Sequence, residues 1–496
     1  MSVDLVLSPS HRLPADVRAA ARDATERIEA LASAVPGVAF TRVDPTELDD
    51  AQRAALPVRE RTIVREEGGL RVARNVTAGL VVRVGDRTTS VDLEDARAFE
   101  ACEFRLAHAL WRLTEDRSAL VAVASSTPRL SSAEAHLEYQ QLQLFAPTGS
   151  DVFSGARDQL VRSGFDVVHV DPERPRWPRE MDALVWLQPR REIDSVLART
   201  VEHLRDGGGA CIAGQHFELV AKQLEGSDLE LVHWPRPTNC DLDARWFADV
   251  GASVARSIVL DDLVFASEAD VRAESEARGK VTERQDSAPP FQVRVGSSTF
   301  APGPPTEGLR DLPWYGGDPV VLDRERLEAT GLSARVLLRA SSRAWTFPWK
   351  GGFVPADVLE GPSEAAPAEP DAPLAVEVEG AFPAVDGAGH AVPGSAVGAE
   401  RGRLVLLGSS SLFTNGNLFD ERFGSRELLT AIAAHLALPE DVAVLAEPTE
   451  RTASLGFVEE RERLAARAYA LAAPLVVALL LGLVRLVANA RRRVRA

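Results

Sequence analysis

Cysteine is nearly absent. Cys102, Cys211 and Cys240 are odd in number and widely spaced, and no C-x-x-C pair occurs, which excludes a disulfide framework and a thiolate zinc site. Buried or half-buried thiols are the expectation, with oxidation of one pair left open. Lysine is as scarce, at Lys222, Lys280 and Lys350 only, so arginine carries nearly all the positive charge. The formal charge is −17, from 56 basic against 73 acidic residues. Nonspecific nucleic-acid binding runs on clustered cations that release counterions, so no nucleic-acid partner is expected. The nine histidines form no H-x-x-x-H pairing with carboxylates, so no metal is expected. There is no Walker A sequence to cradle a triphosphate, and no cofactor is expected. The opening MSVDLVLSPSHRLPADVRAA lacks a basic stretch followed by an apolar one, so no signal peptide is visible.

Long apolar runs are missing too, with one exception. From Ala468 to Val484 the chain reads AYALAAPLVVALLLGLV, 17 residues without a charge. As a helix this spans about 26 Å, close to a hydrocarbon core of roughly 30 Å. Arg485 can snorkel, and Leu486 to Ala488 extend the stretch. A buried core helix is the weaker reading, because core helices are seldom apolar all round and then capped by a basic tail. A single membrane helix over 468–488 is expected, with Ala468, Pro474, Leu479, Leu480, Leu481, Val484 and Arg485 as its anchor residues in a lipid bilayer. Five arginines stand from Arg485 to the tail's Arg495, against three mixed with acids before the span, which makes the tail the better cytoplasmic candidate. The body would then lie outside the cytoplasm, on a cell inner membrane; with no export signal visible, the alternatives are a missing first membrane helix or a body on the cytoplasmic side.

The remainder has the 45% hydrophobic and 26% charged composition of a globular protein, and its length calls for more than one core. Residues 3–7 and 38–43 read as strands around an amphipathic helix, Ala15 to Ala34, and Gly79 to Val91 as a hairpin turning at Gly85-Asp86. A helix from about Leu93 to Thr114 completes a first α/β domain, 1–116. In 117–240 strands at 119–124, 166–170, 183–187 and 210–213 alternate with helices at 155–163 and 195–205. That alternation implies a mostly parallel sheet with flanking helices. Residues 241–373 read as an irregular insertion. The sheet returns in 374–446, with strands at 374–378, 403–408 and 442–445 and a helix at 425–438. A juxtamembrane segment (447–467), the span (468–488) and a basic tail (489–496) follow. The expected class is α/β, mostly parallel, with an amidotransferase- or flavodoxin-like core plus one membrane helix.

Chemistry is sparse. Gly408-Ser409-Ser410-Ser411-Leu412 follows a strand, but Leu412 stands where a nucleophile elbow needs its second glycine. Cys211 has His216 five residues on, yet strand alternation buries it, and a small buried hydrophobe is the expected role. Gly207-Gly208-Gly209 closes a helix instead of opening one, so it is a C-cap turn and no phosphate loop. No catalytic residue is assigned and a non-enzyme is expected. Gln188, Gln215, His216, Ser409, Ser410, Ser411 and Asn415 form the candidate loop surface. The rival readings are a membrane-tethered hydrolase or amidotransferase using these loops, and an envelope glycan- or protein-binding module using Trp186, Trp234, Trp314, Trp345 or Trp349.

Several segments, in order, carry a resemblance. The strand–helix–strand ending in Val43-Asp44-Pro45 precedes the hairpin GLVVRVGDRTTSV. MDALVWLQPRREI leads through a helix to LRDGGGACIAG. ASSRAW, LAVEVEG and RGRLVLLGSSSLFTNGN come next, then a helix, and the span with its arginine tail closes the series. Together these resemble the auxiliary component of gliding-motility-associated ABC transporters. The family's Gly-His-Gly-Glu-like stretch is replaced here by Ala124-Ser125-Ser126-Thr127-Pro128, and its usual N-terminal membrane helix has no counterpart. The resemblance implies an amidotransferase-like sheet, an extracytoplasmic body, and ABC permease and ATPase subunits as partners. It carries over no catalytic residues.

Overall fold

The computed structural model describes residues 1–67, 70–126, 151–190, 194–223, 231–265 and 288–446. The expected membrane segment, and with it Ala468, Pro474, Leu479, Leu480, Leu481, Val484 and Arg485, lies outside them. Among the described residues no helix is long and apolar enough to cross a membrane.

The first sheet is built from β1 (Ser2–Leu7), β2 (Ala39–Val43), β3 (Glu60–Glu67), β4 (Leu70–Val84) and β5 (Arg87–Asp92). Its order is β2-β1-β4-β3, with β5 also on β4. β1 and β2 run parallel because the helix Ala15–Ala34 crosses between them, and the other pairs are antiparallel. That helix buries Val17, Ala21, Ala24 and Ile28, spaced as one helical face, against Leu5, Leu80 and Val82. The hairpin turn falls at Gly85, whose φ of +59° suits glycine. The helix expected from Leu93 to Thr114 is two helices, Ala96–Glu100 and Cys102–Glu115, separated at Ala101.

The second sheet holds β6 (Leu120–Ser125), β7 (Asp166–Val170), β8 (Ala183–Leu187) and β9 (Gly209–Ala213). Four short antiparallel pairs involve β10 (Phe217–Gln223) with β11 (Leu231–Pro237), and β12 (Ala252–Val254) with β16 (Val320–Leu322). The others are β13 (Ile258–Leu260) with β18 (Trp345–Phe347), and β14 (Gln292–Val295) with β15 (Leu312–Tyr315). β17 (Ser333–Arg339), β19 (Pro373–Ala381) and β20 (Arg401–Leu407) return to the second sheet, whose order is β17-β19-β20-β9-β8-β6-β7. The five strands β7, β6, β8, β9 and β20 are parallel, and β19 and β17 extend them antiparallel. Taken in chain order, the parallel strands stand second-first-third-fourth-fifth. The order therefore reverses between β6 and β8, and in such sheets ligands sit outside the carboxyl ends of the strands at that point.

Both faces of this sheet are covered, so its strands are continuous apolar runs. Val121, Val185, Cys211 and Val405 face the helices Ser154–Arg162 and Ser425–Ala437. Ala122, Leu184, Ile212 and Leu404 face the helix Asp194–Arg205 and the rings of Trp246 and Phe247. The helix Asp194–Arg205 ends as expected in a glycine turn, with Gly207 at φ +82° and Gly208 N donating to His203 O at 2.9 Å.

Two local expectations fail. The strand expected at 442–445 is the helix Glu440–Ala443 followed by a 3-10 turn, Val444–Ala446. Pro439 precedes its first turn, and Glu440 and Asp441 suit a helix N-terminus. β17 lies inside the stretch expected to be irregular, and it closes the sheet edge against β19.

The first sheet's helices meet the second sheet's last helix through charge. Arg97 donates to both carboxylate oxygens of Glu427 at 2.9 and 3.0 Å and to Phe423 O at 3.0 Å. Arg426 pairs with Asp95 at 2.8 Å, and Arg310 with Glu100 at 3.3 Å.

Candidate functional site

Three parallel strands end side by side, and the loop residues singled out from the sequence lie just beyond them: Gln188 after β8, Gln215 and His216 after β9, Ser409–Ser411 after β20. The approach is close because two glycines allow it. A Cβ on Gly214 would lie 2.8 Å from Pro189 Cδ, and one on Gly408 2.0 Å from the carbonyl oxygen of Asp318. Gln188 takes φ +50°, a costly backbone for a residue with a side chain. It is held there by its own bonds. Gln188 Nε2 donates to Gln215 O at 2.9 Å, and Gln188 Oε1 accepts from Ser410 Oγ at 2.6 Å.

The remaining groups close on one another. Ser409 Oγ donates to Gln215 Oε1 at 2.8 Å and lies 2.7 Å from Ser411 Oγ. Gln215 Nε2 donates to Phe217 O at 2.8 Å. Gln215, Ser409, Ser410 and Ser411 are all buried. Each hydroxyl is bonded to an amide or another hydroxyl, and among the described residues none of these three serines meets a histidine. This is a cross-strand clasp, and it lacks the nucleophile–base contact that acyl transfer requires.

Asn415 stands apart from the clasp. Its Oδ1 accepts from Gly155 N at 2.8 Å and its Nδ2 donates to Asp151 O at 2.9 Å, so it fastens the start of the helix Ser154–Arg162. His216 also turns away from the serines. Its Nε2 lies 3.0 Å from Val254 O and 3.8 Å from Asp243 Oδ1, and burial lowers its pKa. Its backbone N–H donates to Asp318 Oδ2 at 2.5 Å. Asp318 is fully buried, and that burial pushes its carboxyl well above the usual carboxylate range. Cys211 and Cys240 are buried as expected, and burial raises both thiols far out of the reactive range.

Two further clusters escaped sequence reading. At the end of β6, Ser125 Oγ accepts from Arg157 Nη1 at 3.1 Å and lies 3.3 Å from His169 Nε2. Arg157 is itself paired with Asp151. Ser125 and His169 are 44 positions apart and meet only because β6 pairs with β7, and Ser125 has no exposed surface for a substrate. The second cluster lines a cavity of about 470 Å³ beside the antiparallel edge. There Glu377 accepts from His435 at 2.5 Å and from Arg335 at 2.7 Å, while Arg403 pairs with Glu379 at 3.0 Å. Burial alone would raise Glu377, but the bonds and charges of His435 and Arg335 reverse it and lower its pKa. Among the described residues no three His, Cys, Asp or Glu side chains converge as metal ligands would.

The tryptophans divide. Trp186, Trp314 and Trp345 are core residues, Trp349 is half-buried, and Trp234 is 38% exposed. Comparison with family models, curated proteins and solved structures finds no match to this chain.

Proposed function

We propose that the chain is a non-enzymatic auxiliary subunit of an ABC transport system, its α/β body docking on a membrane permease. One observation carries the reading. At the carboxyl ends of β8, β9 and β20, beside the topological switch point, Gln188, Gln215 and Ser409–Ser411 spend their hydrogen bonds on each other. The loops after these three strands are tied to one another, next to the crevice between β6 and β8 where sheets of this topology bind ligands. The resemblance to the gliding-motility-associated family supplies the partner class. The segments that carry it include β1, β2, the β4–β5 hairpin, β8, β9, β19 and β20.

A hydrolase or amidotransferase reading would need a serine or cysteine within reach of a base. The clasp serines meet only amides and hydroxyls, Ser125 lies 3.3 Å from His169 but has no exposed surface, and Cys211 is a buried, high-pKa thiol. The test is capture of the full-length chain from detergent extracts of its native membranes. Recovery of an ABC permease together with its ATPase is the expected outcome; repeated recovery of neither overturns the reading.

A further inference from the structure

Trp234 is the one exposed tryptophan among the described residues, and it is not alone. Its ring packs edge-to-face on Phe353 at 5.4 Å, and Phe353 is itself 42% exposed. Phe353 sits in a loop, Pro348-Trp349-Lys350-Gly351-Gly352-Phe353, that turns through two glycines at φ +124° and +80° with open space around both. The base of this tip is firm. Trp349 Nε1 donates to Gly352 O at 2.9 Å, its ring meets Phe217 edge-on at 5.2 Å, and Val354 N donates to His233 O at 2.9 Å. Phe217 and Val354 belong to a buried apolar cluster with Trp345 and Phe347. The tip thus presents two aromatic rings and the exposed Lys350 on a rigid apolar root.

Its charge is unlike that of the rest of the chain. In a molecule of net charge −17, residues 341–356 contain no Asp or Glu and include Arg343 and Lys350; β11 contains none and includes Arg236. Arg343 and Arg236 are paired with Asp262 and Glu218 respectively, and the exposed Lys350 stands at the tip itself. An indole, a phenyl ring and a lysine are side chains that settle at a membrane–water interface. The rings enter the headgroup region while the ammonium meets anionic lipid.

We propose that the Trp234–Lys350–Phe353 tip is a bilayer contact that rests on the headgroup region of the membrane. The inference rests on the membrane-anchored reading of the chain and on no transporter partner.

The test is the tryptophan fluorescence of the full-length chain mixed with vesicles whose lipids carry bromine close to the headgroup. Emission is read whether or not the C-terminal segment inserts. Quenching is expected, with Trp234→Phe losing most of it and Phe353→Ser losing part. Anionic vesicles should quench more than zwitterionic ones, and Lys350→Glu should erase that difference. Equal quenching in the parent and Trp234→Phe, or no quenching at all, overturns the proposal. So does a Trp234 signal that moves with soluble glycan or protein but not with lipid. A failed capture of a permease leaves this result untouched, and the reverse also holds.

Discussion

His108 lies on the helix Cys102–Glu115 with its Nδ1 3.1 Å from Ser163 O, and burial pushes its pKa down to about 4. In the unfolded chain the ring takes its proton near pH 6.5, so the folded state binds fewer protons between the two values. Its contribution is therefore intact above pH 6.5 and lost as pH falls toward 4, by about 3 kcal/mol in all. His203 and His216 are lowered by burial as well and add in the same direction. Thermal midpoints measured from neutral pH downward should fall steeply, and more gently in His108→Gln; identical slopes would remove His108 from the account. Asp318 has the opposite sign. Its folded pKa is raised, so its contribution is present below the ordinary carboxylate range and lost as pH rises. Asp318→Asn keeps an acceptor for His216 N–H and cannot ionise. Urea midpoints should show it more stable than the parent at about pH 8, with the gain vanishing near pH 4. A gain that persists in acid would contradict this.

The clasp depends on how closely strand ends can approach. Asp318 N donates to Gly408 O at 2.7 Å, and the 2.0 Å clearance at the missing Cβ leaves no room for alanine. Gly408→Ala should cost about 3 kcal/mol or more, because a backbone carbonyl must move. Denaturation read by near-ultraviolet circular dichroism would show it, and a cost below about 1 kcal/mol would mean the loops yield easily. The strands around this point were readable beforehand because burial on both faces turns ALVWL and ACIA into apolar runs, and the β4–β5 hairpin was readable from its glycine turn. β17 was not, since SARVLLR becomes a strand only through its pairing with β19. Residues 442–445 read as a strand from four apolar positions alone, and the helix start after Pro439 outweighed them. Of the expected loop surface, Gln188, Gln215 and the serines lie at strand ends, but Gln215 and the serines are buried there, and their mutual bonding was not foreseeable. The outward turn of His216 toward Val254 and the meeting of Ser125 with His169 depend on neighbours that are 38 and 44 positions away.

At the scale of the whole molecule, Met1–Glu450 forms one compact unit, and both sheets belong to it. Within it, capture of a permease and quenching by brominated lipid address separate surfaces, so the two expected outcomes stand or fall independently. The pairs Arg97–Glu427 and Arg426–Asp95 join the first hundred residues to residues 426–427, Arg310 joins them to Glu100, and β20 fills the gap between β9 and β19. That arrangement sets a timetable during synthesis. Until the ribosome has passed Leu407, β9 and β19 each have an unpaired flank, and until it has passed Glu427, Arg97 has no carboxylate partner from the second sheet's helix. A nascent chain halted before these points would present open strand edges of the kind that recruit chaperones or seed aggregation.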